Sequence, residues 1–148
     1  MLEFLAAGSI LLVLVFSVIQ FALLWASQGA VETAAHFAAR QFALSARTDS
    51  RKAKEAALAE ASSHCRNRPG GKAVSASLTS IDLSRDDGDG RSSTPRPGEA
   101  YRVRVTHWVE LVVPWIDGIL FAVAPVRKAA IGGKYYLALD ATRWVTVE

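Results

Sequence analysis

A long apolar stretch without a single charged side chain dominates the first part of the sequence. Residues 4–25 contain no Asp, Glu, Lys or Arg, and their polar side chains are two serines and Gln20. As a helix, this stretch extends roughly 33 Å, which matches the ~30 Å hydrocarbon core of a bilayer. Because a helix satisfies its own backbone hydrogen bonds in lipid, the pattern predicts a transmembrane helix over residues 1–26.

Two other interpretations of this stretch stay open. A cleaved secretory signal is also apolar, but such signals carry a basic region ahead of a shorter apolar core. Here the charge ahead of the stretch is acidic, Glu3, and the stretch is longer than a signal core. A helix buried in a soluble core is the second alternative. The sequence favours a retained anchor with a single membrane pass.

Helical patterning continues beyond the apolar stretch. Residues 28–46 are rich in alanine with apolar positions at helical spacing, and residues 50–63 mix alanine with Lys and Glu as an amphipathic helix does. Between them, the Thr-Asp-Ser sequence at 48–50 predicts a helix break and a new N-cap. Arg-Pro-Gly-Gly at 68–71 ends the helical half. We therefore predict a soluble helical region over residues 27–68.

The period then changes from helical to two, which is typical of strands. Residues 72–83 and 101–113 alternate apolar and polar side chains, and residues 134–147 form a further strand candidate with a predicted break near Asp140. The segment 85–98 is rich in Asp, Gly and Pro, and it predicts a flexible loop.

These elements together predict an α+β fold. A long N-terminal helix, half transmembrane and half soluble, should pack its soluble half on a small antiparallel sheet of three or four strands. The sheet and its loop would make up a head domain over residues 72–148.

Residues 114–130 form an unusually apolar segment between the last two strand candidates, and at about a dozen apolar residues it is too short to span a bilayer. It could pack in the core or against another subunit. It could also dip into the membrane interface, which a tryptophan followed by the basic pair Arg127 and Lys128 would suit. The residues proposed for such an interface are Trp115, Ile116, Leu120 and Phe121.

The net charge of +3 indicates little about partners, because basic and acidic residues alternate and the simplest interpretation is a solvated surface rather than a nucleic-acid site. The single cysteine, Cys65, excludes an intramolecular disulfide. The three histidines lack the spacing of metal ligands, and the Asp-Gly cluster in 85–98 lacks the rest of a calcium loop. We therefore predict no enzyme activity, no metal, no cofactor and no small-molecule substrate.

Two features of the apolar helix suggest assembly instead. Glu3 stands at the head of the apolar stretch, directly before Phe4. In lipid its carboxylate would need a cation, and the N-terminal ammonium of a neighbouring subunit could supply one. The simpler alternative is an acid favoured by the helix dipole.

The second feature is a stripe of alanines at every fourth residue, which lies along one helical ridge. Small residues let helices approach closely, in lipid or in a protein bundle. High helix propensity alone also explains alanine. The stripe consists of Ala22, Ala26, Ala30, Ala34 and Ala38.

The Glu3-Phe4 pair at the head of an apolar run, followed by the alanine-rich residues 31–40, resembles the TadE-like proteins. These are minor pilins or pseudopilins of tight-adherence (Tad/Flp) type IV pili. The strand 101–113 running into Pro114 is also similar. In this family the acid usually stands at the fifth mature position, whereas here it is third in the sequence.

The resemblance implies a protein held in the bacterial inner membrane with its C-terminal domain in the periplasm. Family members are cut after a glycine by a prepilin peptidase, and a glutamate pairs with a neighbour's amine during assembly, a role that would fall to Glu3. The implied partners are other pilins, the assembly machinery and membrane lipid. The alternative function is a membrane-tethered extracytoplasmic accessory or binding protein that never enters a filament.

Overall fold

The protein has an α+β fold, as the sequence predicts. The structure, a computed structural model, describes residues 2–47, 49–67, 78–85 and 95–147. In chain order the elements are α1 (Leu2–Ser45), α2 (Ser50–Arg66), β1 (Thr79–Arg85), β2 (Ala100–Glu110), α3 (Ile116–Val123), β3 (Lys128–Ile131) and β4 (Lys134–Thr146).

The helical half breaks where the sequence predicts. α1 runs for 44 residues and ends at Ser45. Asp49 then caps α2, because its Oδ1 atom accepts the backbone N–H groups of Arg51 at 2.9 Å and Lys52 at 3.3 Å. Such a cap satisfies donors that have no partner within the helix. The predicted N-cap is confirmed, and α2 continues three residues past the predicted end, to Arg66.

Small side chains let α2 pack closely against α1. The two helices run antiparallel, and the rings of Phe37 and His64 stack across them with centroids 4.6 Å apart. Every fourth residue on the inner face of α2 is fully buried. Because these residues are small, the helix axes can approach closely. They are Ala53, Ala57, Ala61 and Cys65.

The sheet has four antiparallel strands in the order β1-β2-β4-β3, within the predicted range of three or four. The central strand β2 is paired on both sides, and Val105 lies opposite Ile81 on β1 and Ala141 on β4. These three residues are buried. Along β2, the exposed side chains of Arg102 and Arg104 alternate with the buried ones of Tyr101, Val103 and Val105. This is the alternation that predicted the strand.

The predicted break of the last strand near Asp140 is wrong. β4 is continuous from Lys134 to Thr146, and Asp140 pairs with Thr106 across the sheet. The Thr106 hydroxyl donates to Asp140 Oδ1 at 2.7 Å, and the Arg127 guanidinium contacts both carboxylate oxygens at 2.8 and 2.9 Å. With these partners an aspartate is accommodated in the middle of a strand.

The apolar segment 114–130 divides into α3 and most of a short strand, β3, that the sequence analysis missed. A four-residue strand is too short to show a period. Lys128, the first residue of β3, also closes α3, because its Nζ atom donates to the carbonyls of Phe121 at 2.7 Å and Ala122 at 3.2 Å. The predictions made for residues 68–77 and 86–94, including the Arg-Pro-Gly-Gly end of the helical half and most of the flexible loop, lie outside the described residues.

One hydrophobic core joins the helical region to the sheet. Val31 and Phe42 of α1 are buried together with Val103 and Val105 of β2, and all belong to the same cluster. The ring of Phe42 lies 5.5 Å from that of Tyr101. The second half of α1 and α2 therefore form one folded unit with the sheet, which we call the head, and α1 extends beyond it at its N-terminal end.

Candidate membrane-docking and helix-packing site

The N-terminal third of α1 is bare. Residues 6–15 are exposed on every side of the helix. Within the described part of the chain, α1 is the one helix long and apolar enough to cross a membrane. We call residues 3–15 the bare segment. Its described side chains are exposed, so whatever covers them comes from outside the head.

The head covers one face of α1 as far as Phe16. Phe16, Gln20, Ser27 and Val31 lie on one side of the helix at spacings of four and seven residues. Phe16 is half-buried and the other three are fully buried. The opposite side stays open, and Trp25 there is 84% exposed. The apolar stretch therefore overlaps the head over its last ten residues.

Gln20 joins α1 to the loop between β2 and α3. Its Oε1 atom accepts the backbone N–H groups of Val112 at 3.2 Å and Val113 at 3.0 Å. Two donors facing one atom identify that atom as the carbonyl oxygen of the amide. The Nε2 atom is buried and has no hydrogen-bond partner among the described residues. We call this contact the Gln20 clamp.

Trp115 holds an unusual backbone conformation at the end of the clamped loop. Its φ of 68° and ψ of −39° make it the one non-glycine with positive φ among the described residues. A bulky residue rarely adopts this conformation, which costs about 1–3 kcal/mol. The ring lies 6.4 Å from that of Phe16 and is 71% exposed. The turn thus places a large aromatic side chain on the outer surface, level with Phe16.

The proposed interface segment has two faces. Ile116 is buried in the head, and Leu120 and Phe121 are half-buried, with Phe121 packed 4.6 Å from the ring of Tyr135. Ile119 is 57% exposed and Val123 75% exposed on the other side. Core packing therefore accounts for one face of α3, and the outward face is also apolar.

Glu3 and Phe4 lie at the tip of the bare segment. Both side chains are exposed, in the first turn of α1. No ion pair or hydrogen bond joins Glu3 to another residue in the described part of the chain. At 1.5 Å per residue, Glu3 is about 26 Å along the helix from Gln20. Its carboxylate is therefore open to a partner from another molecule.

The alanine stripe does not form one surface. Ala22 and Ala26 are exposed and Ala30 is half-buried, whereas Ala34 and Ala38 are fully buried in the head. The last two pack within their own molecule. The first two remain available to a second helix.

Groups with catalytic or metal-binding chemistry are dispersed. His36 is exposed, His64 stacks on Phe37, and His107 is buried with its Nδ1 atom 2.9 Å from the Thr79 hydroxyl. Among the described residues, no three His, Cys, Asp or Glu side chains come together as a metal site.

No protein-family model, no curated protein and no solved structure matches the chain. The class of protein is therefore defined by the fold alone: an α+β head on one helix long and apolar enough to span a membrane. The candidate residues predicted from the sequence lie at both ends of the apolar helix. The Gln20 clamp was not predicted, although a lone amide in an apolar stretch marks a residue that needs a polar partner.

Proposed function

We propose that the protein is a minor pilin or pseudopilin, similar to the TadE-like proteins, that takes part in assembly or initiation of a Tad-type pilus. It would be anchored in the bacterial inner membrane by α1, with its head in the periplasm, and would act by packing the bare segment beside the helices of other pilins. The observation that supports this most is an apolar helix that is bare at one end and central to a head at the other.

The bare segment needs a cover. Soluble monomers rarely expose contiguous apolar surface of more than a few hundred Å². Here the surface runs around the whole helix, so lipid, other apolar helices or both must remove it from water. The large exposed side chains of this region are Phe4, Ile10, Leu11, Leu12, Val13, Leu14 and Val15.

The unbroken helix supports a role in packing over a role as a simple tether. α1 continues from the bare segment into the head without a joint, and Ser27 at the transition is buried with its hydroxyl bonded to the Leu23 carbonyl at 2.6 Å. The orientation of the head is therefore fixed relative to the bare segment. When bare segments pack side by side, their heads must take a defined arrangement, whereas a tether needs only a flexible linker.

Glu3 has a specific part in the proposal. An exposed carboxylate at the tip of an apolar helix enters lipid when that helix shifts along its neighbours during assembly, and there it needs a cation. A neighbour's N-terminal ammonium is such a cation.

The test is Glu3→Gln and Glu3→Leu, with Glu32→Gln as the matched control. Glu32 is an exposed acid on the same helix, beyond the apolar stretch, and its contact is a local one with Gln28. We expect all variants to enter the membrane, and the Glu3 variants alone to lose co-purification with other pilins.

Assembly that proceeds unchanged in both Glu3 variants contradicts charge pairing. A wild-type protein that is membrane-bound but never co-purifies with another pilin contradicts the pilin function, and the tethered accessory protein would then replace it.

A further inference from the structure

We propose that α3 and the loop before it insert into the bilayer that α1 crosses, as a second membrane contact that does not span. Three observations support this proposal: the depth at which the loop contacts α1, the apolar side chains exposed around it, and the hydrogen bonds of its backbone groups. The proposal rests on membrane anchorage by α1 and is independent of whether the protein enters a pilus.

The length of the bare segment places part of the head at membrane depth. The bare segment has 13 residues and reaches only about 20 Å, whereas the hydrocarbon core is ~30 Å thick. A spanning α1 must therefore use residues up to about Trp25, the last of the apolar stretch. Phe16 and Gln20 then lie inside the hydrocarbon, and the head contacts both of them.

The loop before α3 contacts α1 at positions inside the apolar stretch. Trp115 packs on Phe16, and the Gln20 clamp holds Val112 and Val113. Measured along α1 from Trp25, Gln20 lies about 8 Å and Phe16 about 14 Å toward the bilayer centre. The loop that contacts them is at the same depth, well below the headgroups of that leaflet.

The surface of the head next to these contacts is apolar. The side chains that this part of the head turns outward are apolar, and they continue the apolar surface of α1. An apolar surface that adjoins a membrane span at the same depth fits lipid directly. The outward side chains are Val112, Trp115, Ile119, Val123 and Val126, all at least 41% exposed.

Several backbone polar groups of the loop and of α3 have hydrogen-bond partners within the protein. Irregular backbone is tolerated at membrane depth only where the protein satisfies its polar groups, because each one left unpaired costs several kcal/mol. The Gln20 clamp satisfies two N–H groups of the loop, and Leu111 N–H donates to the Tyr135 carbonyl at 2.8 Å. At the other end, Lys128 covers two terminal carbonyls of α3.

The charged groups near α3 are arranged in keeping with this placement. Asp117 is the one acid in α3, and its Oδ1 atom accepts the N–H of Gly118 at 2.7 Å in the first helical turn, where the dipole favours an anion. The basic residues follow the helix, and Arg127 is paired with Asp140. The outward face between these charges is left apolar.

The experiment compares two exposed hydrophobic positions on a Cys65→Ala background. Ile119→Cys lies on the outward face of α3 at 57% exposure, and Leu44→Cys lies near the opposite end of α1 at 56% exposure. Val13→Cys in the bare segment serves as the reference for lipid. Each full-length variant is labelled with an environment-sensitive fluorophore and reconstituted into phosphatidylcholine and phosphatidylglycerol vesicles. Nitroxide-bearing lipid and aqueous iodide are the quenchers.

We expect the probes at 119 and 13 to emit at shorter wavelength, to be quenched by nitroxide lipid and to be protected from iodide, while the probe at 44 behaves oppositely. Iodide quenching at 119 equal to that at 44 overturns the proposal, as α3 would then lie in water. Protection at 119 from both quenchers also overturns it, since a second protein copy would cover α3. Loss of lipid quenching at both 13 and 119 overturns membrane anchorage itself.

Discussion

Gln20 places an amide group in the apolar stretch, and only the oxygen of that amide has hydrogen-bond partners among the described residues. Its carbonyl oxygen accepts two backbone N–H groups of a loop that is more than ninety residues away in sequence, and its buried Nε2 atom has no partner among the described residues. In an apolar environment each hydrogen bond is electrostatically stronger than in water. The clamp is therefore the polar contact that holds the loop before α3 on α1, beside the packing of Trp115 on Phe16.

Replacing Gln20 with leucine should release that loop. The change keeps an apolar side chain of similar size but leaves two backbone donors unpaired, at a cost of about 1–3 kcal/mol for each buried group. We expect the amides of Val112 and Val113 to exchange hydrogen far faster in reconstituted protein. Gln28→Leu, on the same helix but bonded only to Glu32, is the control and should leave these amides protected. Equal protection in both variants would show that the clamp contributes nothing.

Neither Gln20 nor Trp115 could be assigned its partner from the sequence. Hydropathy identifies Gln20 as an exception, but the partner is backbone at 112 and 113, and backbone groups leave no mark in a sequence pattern. The positive φ of Trp115 is equally hidden, because left-handed backbone is announced by glycine or asparagine rather than tryptophan. Glu3 and Phe4 could be singled out from the sequence because their place at the head of the apolar stretch is a local feature, and their role in assembly stays a prediction.

At the scale of elements, a stripe of small residues holds α2 against α1. The inner face of α2 repeats every four residues and is fully buried. Since α1 supplies Ala34 and Ala38 to the same core, the close approach expected of small residues occurs inside the molecule. Substitutions at these two alanines therefore test the stability of the head, and only Ala22 and Ala26 can test packing between molecules.

Ala57→Leu should destabilise the head by about 1–3 kcal/mol, because the added bulk has no space between α1 and α2. Ala59→Leu, two residues along the same helix but exposed, should change the free energy of unfolding by no more than ~0.5 kcal/mol. Urea unfolding of the full-length protein in detergent, followed by circular dichroism, measures both. A leucine at 57 that unfolds like the wild type would mean that α2 does not pack closely on α1.

Elements with a strong local signal were predictable, and short ones were not. The break at 48–50 and the strand predicted at 101–113 follow from capping and alternation, and both occur in the structure, although the strand ends at Glu110. β3 has four residues and pairs only with β4, so its identity depends on a tertiary contact. The strand break expected at Asp140 failed for the same reason, since Thr106 and Arg127 satisfy the carboxylate from other elements.

At the scale of the whole molecule, α1 serves two environments with one continuous helix. Its second half is the centre of a folded head, and residues 6–15 near its N-terminal end are exposed on all sides. The α+β architecture follows from the change of period along the sequence. The overlap between head and apolar stretch, from Phe16 to Trp25, does not, because it depends on contacts with a loop far along the chain.

Photo-crosslinking along the apolar stretch of α1 tests most directly whether this part of the helix packs against similar helices. A photoreactive residue is placed singly at Leu11, Ala22 and Ala26, which share one helical face, and at Val13 on the opposite face, in the full-length protein in membranes that contain the other pilins. We predict protein adducts at some of these positions and lipid adducts at the rest, following one helical face, with protein adducts lost in Glu3→Leu. Lipid adducts alone at all four positions would contradict helix packing and leave α1 as an anchor only.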